Sequence, residues 1–313
     1  MMHKTFLGSV LIASFCLVGA AVQAQTTLLD LTFDNPGSPV IGTDYIPNSA
    51  PGTPGDFNNP YGSTVNNQYA TAFTEEAGAG VYEGGSPSGG LVVTAGDNDA
   101  IYSSQGFNFS GSGVNFQLSM MFQTASSSAG IGSGDKFQLG LAYNTIGGPY
   151  GSAGAYPNSP NVTNEFASYR LLSVAGTQNY TLEYQNDVGA GSLTQGGTLT
   201  TYSLLSSEWY QMSISYLNNG NGTLTESVSV YDCGPQGTSA PTLVNVGNLD
   251  QYTFASDLTS DTGVEPEFRD ANDTGINDLD NLELLSIPEP SSCALIGLGI
   301  SALFGVRRFR RNK

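Results

Sequence analysis

Apolar residues alternate with polar or small residues in many short stretches of this 313-residue chain. A period of two is typical of β-strands that bury one face, because successive side chains point to opposite sides. The run Asn218-Asn219-Gly220-Asn221-Gly222 predicts a hairpin turn, since Asn and Gly tolerate positive φ. The pattern predicts seven sets of inward-facing strand residues: Leu29, Leu31 and Phe33; Val114, Phe116, Leu118 and Met120; Phe137, Leu139, Leu141 and Tyr143; Tyr180, Leu182 and Tyr184; Tyr210, Met212, Ile214 and Tyr216; Val228 and Val230; Leu282 and Leu284.

Strands that each bury one face favour two antiparallel sheets packed face to face. No long stretch has helical periodicity, and no internal repeat indicates a solenoid or a propeller. The predicted fold class is therefore all-β, an antiparallel two-sheet jelly-roll sandwich over residues 25–286.

The C-terminus carries three features in order. Pro288-Glu289-Pro290 comes first, the uncharged run Cys293–Val306 follows, and a basic cluster ends the chain with Arg307, Arg308, Arg310, Arg311 and Lys313. As a helix the run rises about 21 Å, which spans the hydrocarbon core only if flanking Ser and Arg side chains lie at its interfaces. A core helix is the alternative, but core helices do not usually end in five cations.

This order of parts resembles the PEP-CTERM sorting signal of Gram-negative bacteria. The resemblance rests on Pro288, Glu289, Pro290 and the Arg cluster, within residues 287–313. It implies that an exosortase, an integral membrane protease, cuts near the motif, so that a short transmembrane helix anchors the chain in the inner membrane only transiently. It also implies an exported protein at the cell surface or in the extracellular matrix, associated with exopolysaccharide.

The N-terminus has the features of a secretory signal peptide. A weakly basic start precedes the largely apolar stretch Phe6–Val22, and cleavage is predicted between Ala24 and Gln25. The predicted organisation is a signal peptide helix at 1–24, the β-sandwich at 25–286 and the sorting signal at 287–313.

The composition between the two signals excludes several classes of protein. Residues 25–290 hold three basic residues and all 27 acidic ones, a net charge of −24, which disfavours nucleic acid as a partner. The sole histidine, His3, lies in the predicted signal peptide, so the mature chain has neither a Ser-His-Asp triad nor a His-ligated metal site. Cys233 has no cysteine partner there, so a large core must stabilise the fold without a disulfide.

Two short stretches are similar to LamG or concanavalin-like sandwiches: Gly106-Phe107-Asn108-Phe109 before the strand at 114–122, and Glu208-Trp209-Tyr210. Asp280-Asn281-Leu282 is similar to the final strand of many PEP-CTERM jelly rolls. The resemblance implies a jelly-roll domain and does not define its ligand.

An acidic stretch near the end of the sandwich has two interpretations. One is a calcium site, because calcium binds six to eight hard oxygen ligands. The stretch departs from an EF-hand loop, whose twelfth position needs a bidentate Glu and is Asn281 here. Solvated turn residues are the other interpretation. The candidate ligands are Asp270, Asn272, Asp273, Asp278 and Asp280.

Two tyrosines in the loop-rich stretch Gly147–Pro160 are candidate glycan contacts. Tyr150 and Tyr156 can stack on a sugar, because the C–H face of a sugar ring suits an aromatic face. Their alternative role is to anchor the loop or to pack in the core.

A glycoside hydrolase needs two carboxylates about 5–10 Å apart. Glu265 and Glu267 are two residues apart, but Pro266 between them predicts a loop or an edge strand. Glu183 and Glu226 are predicted on polar faces, without a pairing partner. The sequence therefore favours a non-enzymatic surface protein that binds glycan, with a polysaccharide-active enzyme or a purely structural coat protein as alternatives.

Overall fold

The structure is a computed structural model that describes residues 25–33, 57–58, 73–93, 98–103, 106–132, 136–143, 165–187, 193–244, 252–271 and 274–287. These ranges contain one short 3-10 helix, Asp257–Ser260, and the following strands: β1 (Thr26–Leu31), β2 (Phe57–Asn58), β3 (Phe73–Glu83), β4 (Ser86–Val93), β5 (Asn98–Ser103), β6 (Asn115–Thr124), β7 (Lys136–Tyr143), β8 (Glu165–Ser173), β9 (Asn179–Asp187), β10 (Leu193–Ser203), β11 (Trp209–Asn218), β12 (Thr223–Gly234), β13 (Thr242–Leu243), β14 (Tyr252–Ala255), β15 (Glu265–Ala271) and β16 (Ile276–Ser286).

The described strands form two sheets. Sheet A has the order β13-β12-β11-β6-β16-β4-β3, with β1 beside β16 and β14 beside β12, and sheet B has the order β10-β9-β8-β7-β15-β5-β2. Every pair with a defined register is antiparallel. The predicted all-β class with two antiparallel sheets is thus confirmed, and the arrangement fits a jelly-roll sandwich.

The inner faces of the sheets form one hydrophobic core, and strand β11 shows how the alternation produces it. Met212 and Ile214 are fully buried in this core, whereas Gln211 and Ser215 face the other side of sheet A. The predicted hairpin is also present, because β11 ends at Asn218, β12 begins at Thr223, and Gly220 and Gly222 between them have positive φ. Most of the residues predicted to face inward lie in this core.

Contacts between aromatic side chains join the two sheets. The rings of Phe122 on β6 and Phe137 on β7 lie 5.3 Å apart between centroids, at an angle of 41°. The Tyr216 hydroxyl on β11 donates a hydrogen bond of 3.0 Å to the Ala167 carbonyl on β8. These contacts hold sheet A and sheet B in one relative position, which fixes the strands that carry the candidate sites.

Residues Thr27–Ser286 form one compact unit. The predicted signal peptide, the Pro288-Glu289-Pro290 motif, the C-terminal helix and the Arg cluster lie outside the described residues. In the part of the chain that is described, no helix is long and apolar enough to cross a membrane. Cys233 is buried and has a free thiol.

Candidate functional site

A polar stripe crosses the outer face of sheet B, the face turned away from the core. Its residues sit between core positions on the same strands, so the pleat directs their side chains outward. Several of these side chains are nevertheless buried. Gln138 and Ser168 have no exposed surface, and Glu267 is 2% exposed. We call this set of residues the outer-face stripe: Gln138, Ser168, Arg170, Glu183, Glu265 and Glu267.

Hydrogen bonds between neighbouring strands order the centre of this stripe. The Arg170 guanidinium on β8 donates from Nε and Nη2 to the Glu183 carboxylate on β9, at 3.1 and 2.8 Å. Gln138 Nε2 donates to Ser168 Oγ at 2.6 Å. Gly140 lets Ser168 approach β7 closely, because a Cβ at position 140 would collide with the backbone and side chain of Ser168. The stripe therefore holds carboxylate, guanidinium and amide groups in fixed positions. Of its hydrogen-bonded side chains, Arg170 and Glu183 are 11% and 16% exposed, so this ion pair is the part that a hydroxyl-rich ligand can reach.

Pro266 does not mark a loop, and the predicted edge strand is found only locally, because at this residue the strand has a partner on one side. Pro266 lies in β15, which pairs with β7 on one side and with β5 on the other. Pro266 has no backbone N–H to donate to a neighbouring strand. It is tolerated because it is paired only with Leu141 of β7, and the pairing with β5 begins one residue later, at Glu267. Glu265 and Glu267 consequently share one face of a central strand, and burial raises the pKa of Glu265 to about 7.

A second polar group lies between the sheets, and the sequence interpretation missed it. Glu226 on β12 was predicted on a polar face, but it follows Leu224 and precedes Val228 on the core face and has no exposed surface. The carboxyl of Glu226 faces the Asn186 amide of β9 and the Tyr169 hydroxyl of β8, which are also buried. The signal was present in the sequence as an acid at an inward position of an alternating strand.

We call Glu226, Asn186 and Tyr169 the inter-sheet nest. Burial is the largest cause of the pKa shifts of Glu226 and Tyr169. Loss of hydration raises the pKa of Glu226 well above its ordinary value, and the Asn186 and Tyr169 side chains only partly oppose this rise. Burial and the nearby Glu226 carboxyl likewise raise the pKa of Tyr169. Burial therefore favours the protonated form of Glu226 in the folded protein.

The candidate calcium ligands are divided between the two sheets. Asp270 belongs to β15 of sheet B, Asp278 and Asp280 belong to β16 of sheet A, and positions 272 and 273 lie outside the described residues. The buried Asp280 carboxylate accepts backbone N–H bonds from Val81 at 2.8 Å and from Asn281 at 2.7 Å. No three acid side chains within the described ranges are grouped so that they can hold a metal ion, and calcium binding stays a prediction.

The remaining predicted site residues are not brought into either group. Tyr150, Tyr156, Ala24, Pro288, Glu289, Pro290 and the Arg cluster lie outside the described residues, and Gln25 is exposed ahead of β1. The structure instead places a different pair of tyrosines beside the inter-sheet nest. The rings of Tyr184 on β9 and Tyr252 on β14 lie 4.4 Å apart between centroids.

No protein-family model and no curated protein matches the chain. The solved structures that it is similar to include legume lectins. Lectin II from Ulex europaeus is 12% identical, with a TM-score of 0.43, over 83% of this chain and 99% of the lectin. The T. cruzi calreticulin globular domain is 8% identical, with a TM-score of 0.44, over 92% of this chain and 100% of that domain.

A marine PL-14 alginate lyase from Aplysia kurodai is also similar, at 13% identity and a TM-score of 0.38, over 70% of this chain and 88% of the lyase. Similarities with such TM-scores do not distinguish a lectin from an enzyme.

Replacing Glu226 with glutamine is expected to change how stability depends on pH. Above the ordinary glutamate pKa of about 4.3, the native protein keeps a proton that the unfolded chain releases, so the free energy of unfolding falls as pH rises until the raised pKa is passed. One such group contributes a slope of about 1.4 kcal/mol per pH unit. Glu226→Gln removes this contribution, which urea unfolding at several pH values will measure.

Glu265→Gln is the matched comparison for that measurement. The pKa of Glu265 is about 7, so this variant should flatten the curve between the ordinary glutamate pKa and about that pH. A Glu226→Gln curve parallel to that of the wild type would contradict the raised pKa of Glu226.

Proposed function

We propose that this chain is an exported, non-enzymatic surface protein whose sandwich domain binds a neutral exopolysaccharide through the outer face of sheet B. The observation that carries the proposal is the Arg170–Glu183 ion pair of the outer-face stripe, whose side chains are 11% and 16% exposed and hold each other in fixed positions. Preordered polar groups bind hydroxyl-rich ligands at a low entropic cost. The net charge of −24 over residues 25–290 favours a neutral glycan over an anionic one.

The sequence signals at both ends support export and sorting. A signal peptide predicts passage through the inner membrane, and the Pro-Glu-Pro motif with its apolar run and Arg cluster resembles the substrate signal of an exosortase. In this proposal the C-terminal helix holds the protein in the membrane until the protease releases it toward the cell surface.

Glycan binding is tested with Glu183→Gln. The substitution preserves the shape of the side chain and removes the charge that fixes the Arg170 guanidinium, so affinity for a bound neutral polysaccharide is expected to fall about tenfold or more. Affinity electrophoresis across neutral, cationic and anionic polysaccharides will measure the change, with circular dichroism to verify the fold.

Glu83→Gln is the control for this loss. Glu83 is exposed at the end of β3 in sheet A, so the variant removes the same charge away from the stripe and should bind as the wild type does. Equal affinity in both variants, or no retention of the wild type by any polysaccharide, would argue against the proposed binding face.

Sorting is tested by replacing both motif prolines, Pro288→Ala with Pro290→Ala. If the motif is cut by a membrane protease, the double variant should remain in the inner-membrane fraction while the wild type is released. Fractionation and immunoblotting of the native host will measure this distribution. Pro241→Ala, at an exposed position before β13, is the control and should be released normally. Normal release of the double variant would refute the sorting assignment.

One observation favours a second function, that of a polysaccharide-active enzyme. Glu265 and Glu267 lie two residues apart on one strand face, a spacing of about 7 Å, and a carboxyl with a pKa of about 7 suits a general acid. If this function is present, neutral polysaccharide should yield new reducing ends, and Glu265→Gln should lower their rate about a hundredfold or more without loss of binding. Equal amounts of reducing ends with the wild type and the variant would exclude catalysis by this pair.

A further inference from the structure

Part of β3 bulges out of its ladder with β4. Between the pairs Ala77–Gly89 and Tyr82–Pro87, four residues of β3 oppose a single residue of β4. A bulge leaves backbone groups of the longer strand without a ladder partner. Val81 lies in this bulge and is only 5% exposed, so its N–H needs an acceptor from elsewhere in the fold.

The Asp280 carboxylate on β16 supplies that acceptor. Its Oδ2 accepts from the Val81 N–H at 2.8 Å, and its Oδ1 accepts from the Asn281 N–H at 2.7 Å. The Ser88 hydroxyl donates to the Val81 carbonyl at 2.8 Å, which fixes the bulge against β4. Gly80 permits the close approach, because a Cβ there would lie 2.6 Å from Oδ2. Asp280 has no exposed surface, so water does not compete for these bonds.

The bulge places Val81 in a second hydrophobic cluster, which is separate from the core between the sheets. Val81 packs there with Met121, Trp209 and Cys233, and all four residues are at most 6% exposed. Met121 follows the core residue Met120 on β6, so the pleat directs it to the outer face of sheet A. The hairpin of β3 and β4 therefore covers part of that outer face.

The loop after β12 meets the hairpin over the same cluster. The Tyr82 N–H donates to the Gln236 carbonyl at 2.9 Å. A Cβ at Gly237 would lie 2.6 Å from Val81 Cγ1, so the loop backbone lies directly against the bulge. The hairpin and this loop together close the cluster to solvent.

The outer half of the hairpin, residues 78–88, has few connections to the rest of sheet A. The described ladder between β4 and β16 pairs Leu91 with Leu279 and Val92 with Asp278, at the base of the hairpin. We call residues 78–88 the hairpin clasp. A segment held by so few bonds opens at a lower free energy than the core strands do.

We propose that Asp280 holds the hairpin clasp shut over the second cluster, and that the clasp opens as a local unit while the sandwich stays folded. Opening uncovers the Cys233 thiol. The export proposed above takes this thiol to an oxidising environment, where an accessible cysteine exchanges with disulfides. The protective role of the clasp rests on that proposal, whereas the clasp itself is measured on the purified chain.

Alkylation of Cys233 by iodoacetamide in the full chain tests the clasp, with mass spectrometry of the peptide that contains this residue. Asp280→Asn leaves one acceptor oxygen for the two N–H groups of Val81 and Asn281. A buried N–H without an acceptor favours the open clasp, so the alkylation rate should rise about tenfold or more. Glu83→Gln, the same loss of charge at an exposed position of the clasp, should react as the wild type does. Equal rates for Asp280→Asn and the wild type would overturn the proposal.

Ser88→Ala is a milder variant that keeps the carboxylate in place. It removes the bond to the Val81 carbonyl, so the rate should rise about threefold or more. An unchanged rate would refute the clasp, including the case in which Asp280→Asn does not fold.

A urea series separates local opening from global unfolding. Local opening exposes little surface, so the alkylation rate of the wild type should be almost independent of urea below the unfolding transition. Trp209, the only tryptophan of the chain, reports on the same cluster by fluorescence, and circular dichroism follows the sandwich. An alkylation rate that rises with urea as steeply as global unfolding does would show that the clasp does not open by itself.

Discussion

The burial of the two inner sheet faces against each other is the interaction on which the rest of the structure depends. No disulfide is available between the two predicted signals, so the sandwich holds together through contacts such as the Phe122–Phe137 ring pair and the Tyr216 hydrogen bond to Ala167. Apolar burial of this kind is the main favourable term in folding. It also decides which side chains are left on the outer faces, and thereby where a ligand has access to the domain.

The same residue type behaves differently according to its place in this sandwich. Glu183 forms an ion pair with Arg170 on the outer face, while Glu265 shares that face with Glu267 and has a pKa of about 7. Glu226 faces the core, where burial raises its pKa well above the ordinary value. Position relative to the core therefore determines whether a carboxyl is an ion-pair partner, a candidate acid or a buried group with a strongly raised pKa.

Part of the candidate site was accessible from the sequence and part was not. The alternation Leu224-x-Glu226-x-Val228 already indicates a core-facing acid, yet its partners Asn186 and Tyr169 come from strands of the other sheet. The central position of β15 was not predicted from Pro266 for a similar reason. A proline disrupts a sheet only where a neighbouring strand needs a backbone N–H at that position, and this depends on the register of β15 with β7 and β5.

The sequence by itself determined seven of the sixteen described strands, the hairpin at Asn218–Thr223 and the all-β class, because side-chain alternation and turn chemistry are local properties of the chain. It also established the acidity of the domain and the absence of histidine from residues 25–313, which composition alone decides. Only the tertiary structure decided the outer-face stripe and the inter-sheet nest. Both bring together residues from strands far apart in sequence, and their pairing depends on the order and register of the whole sandwich.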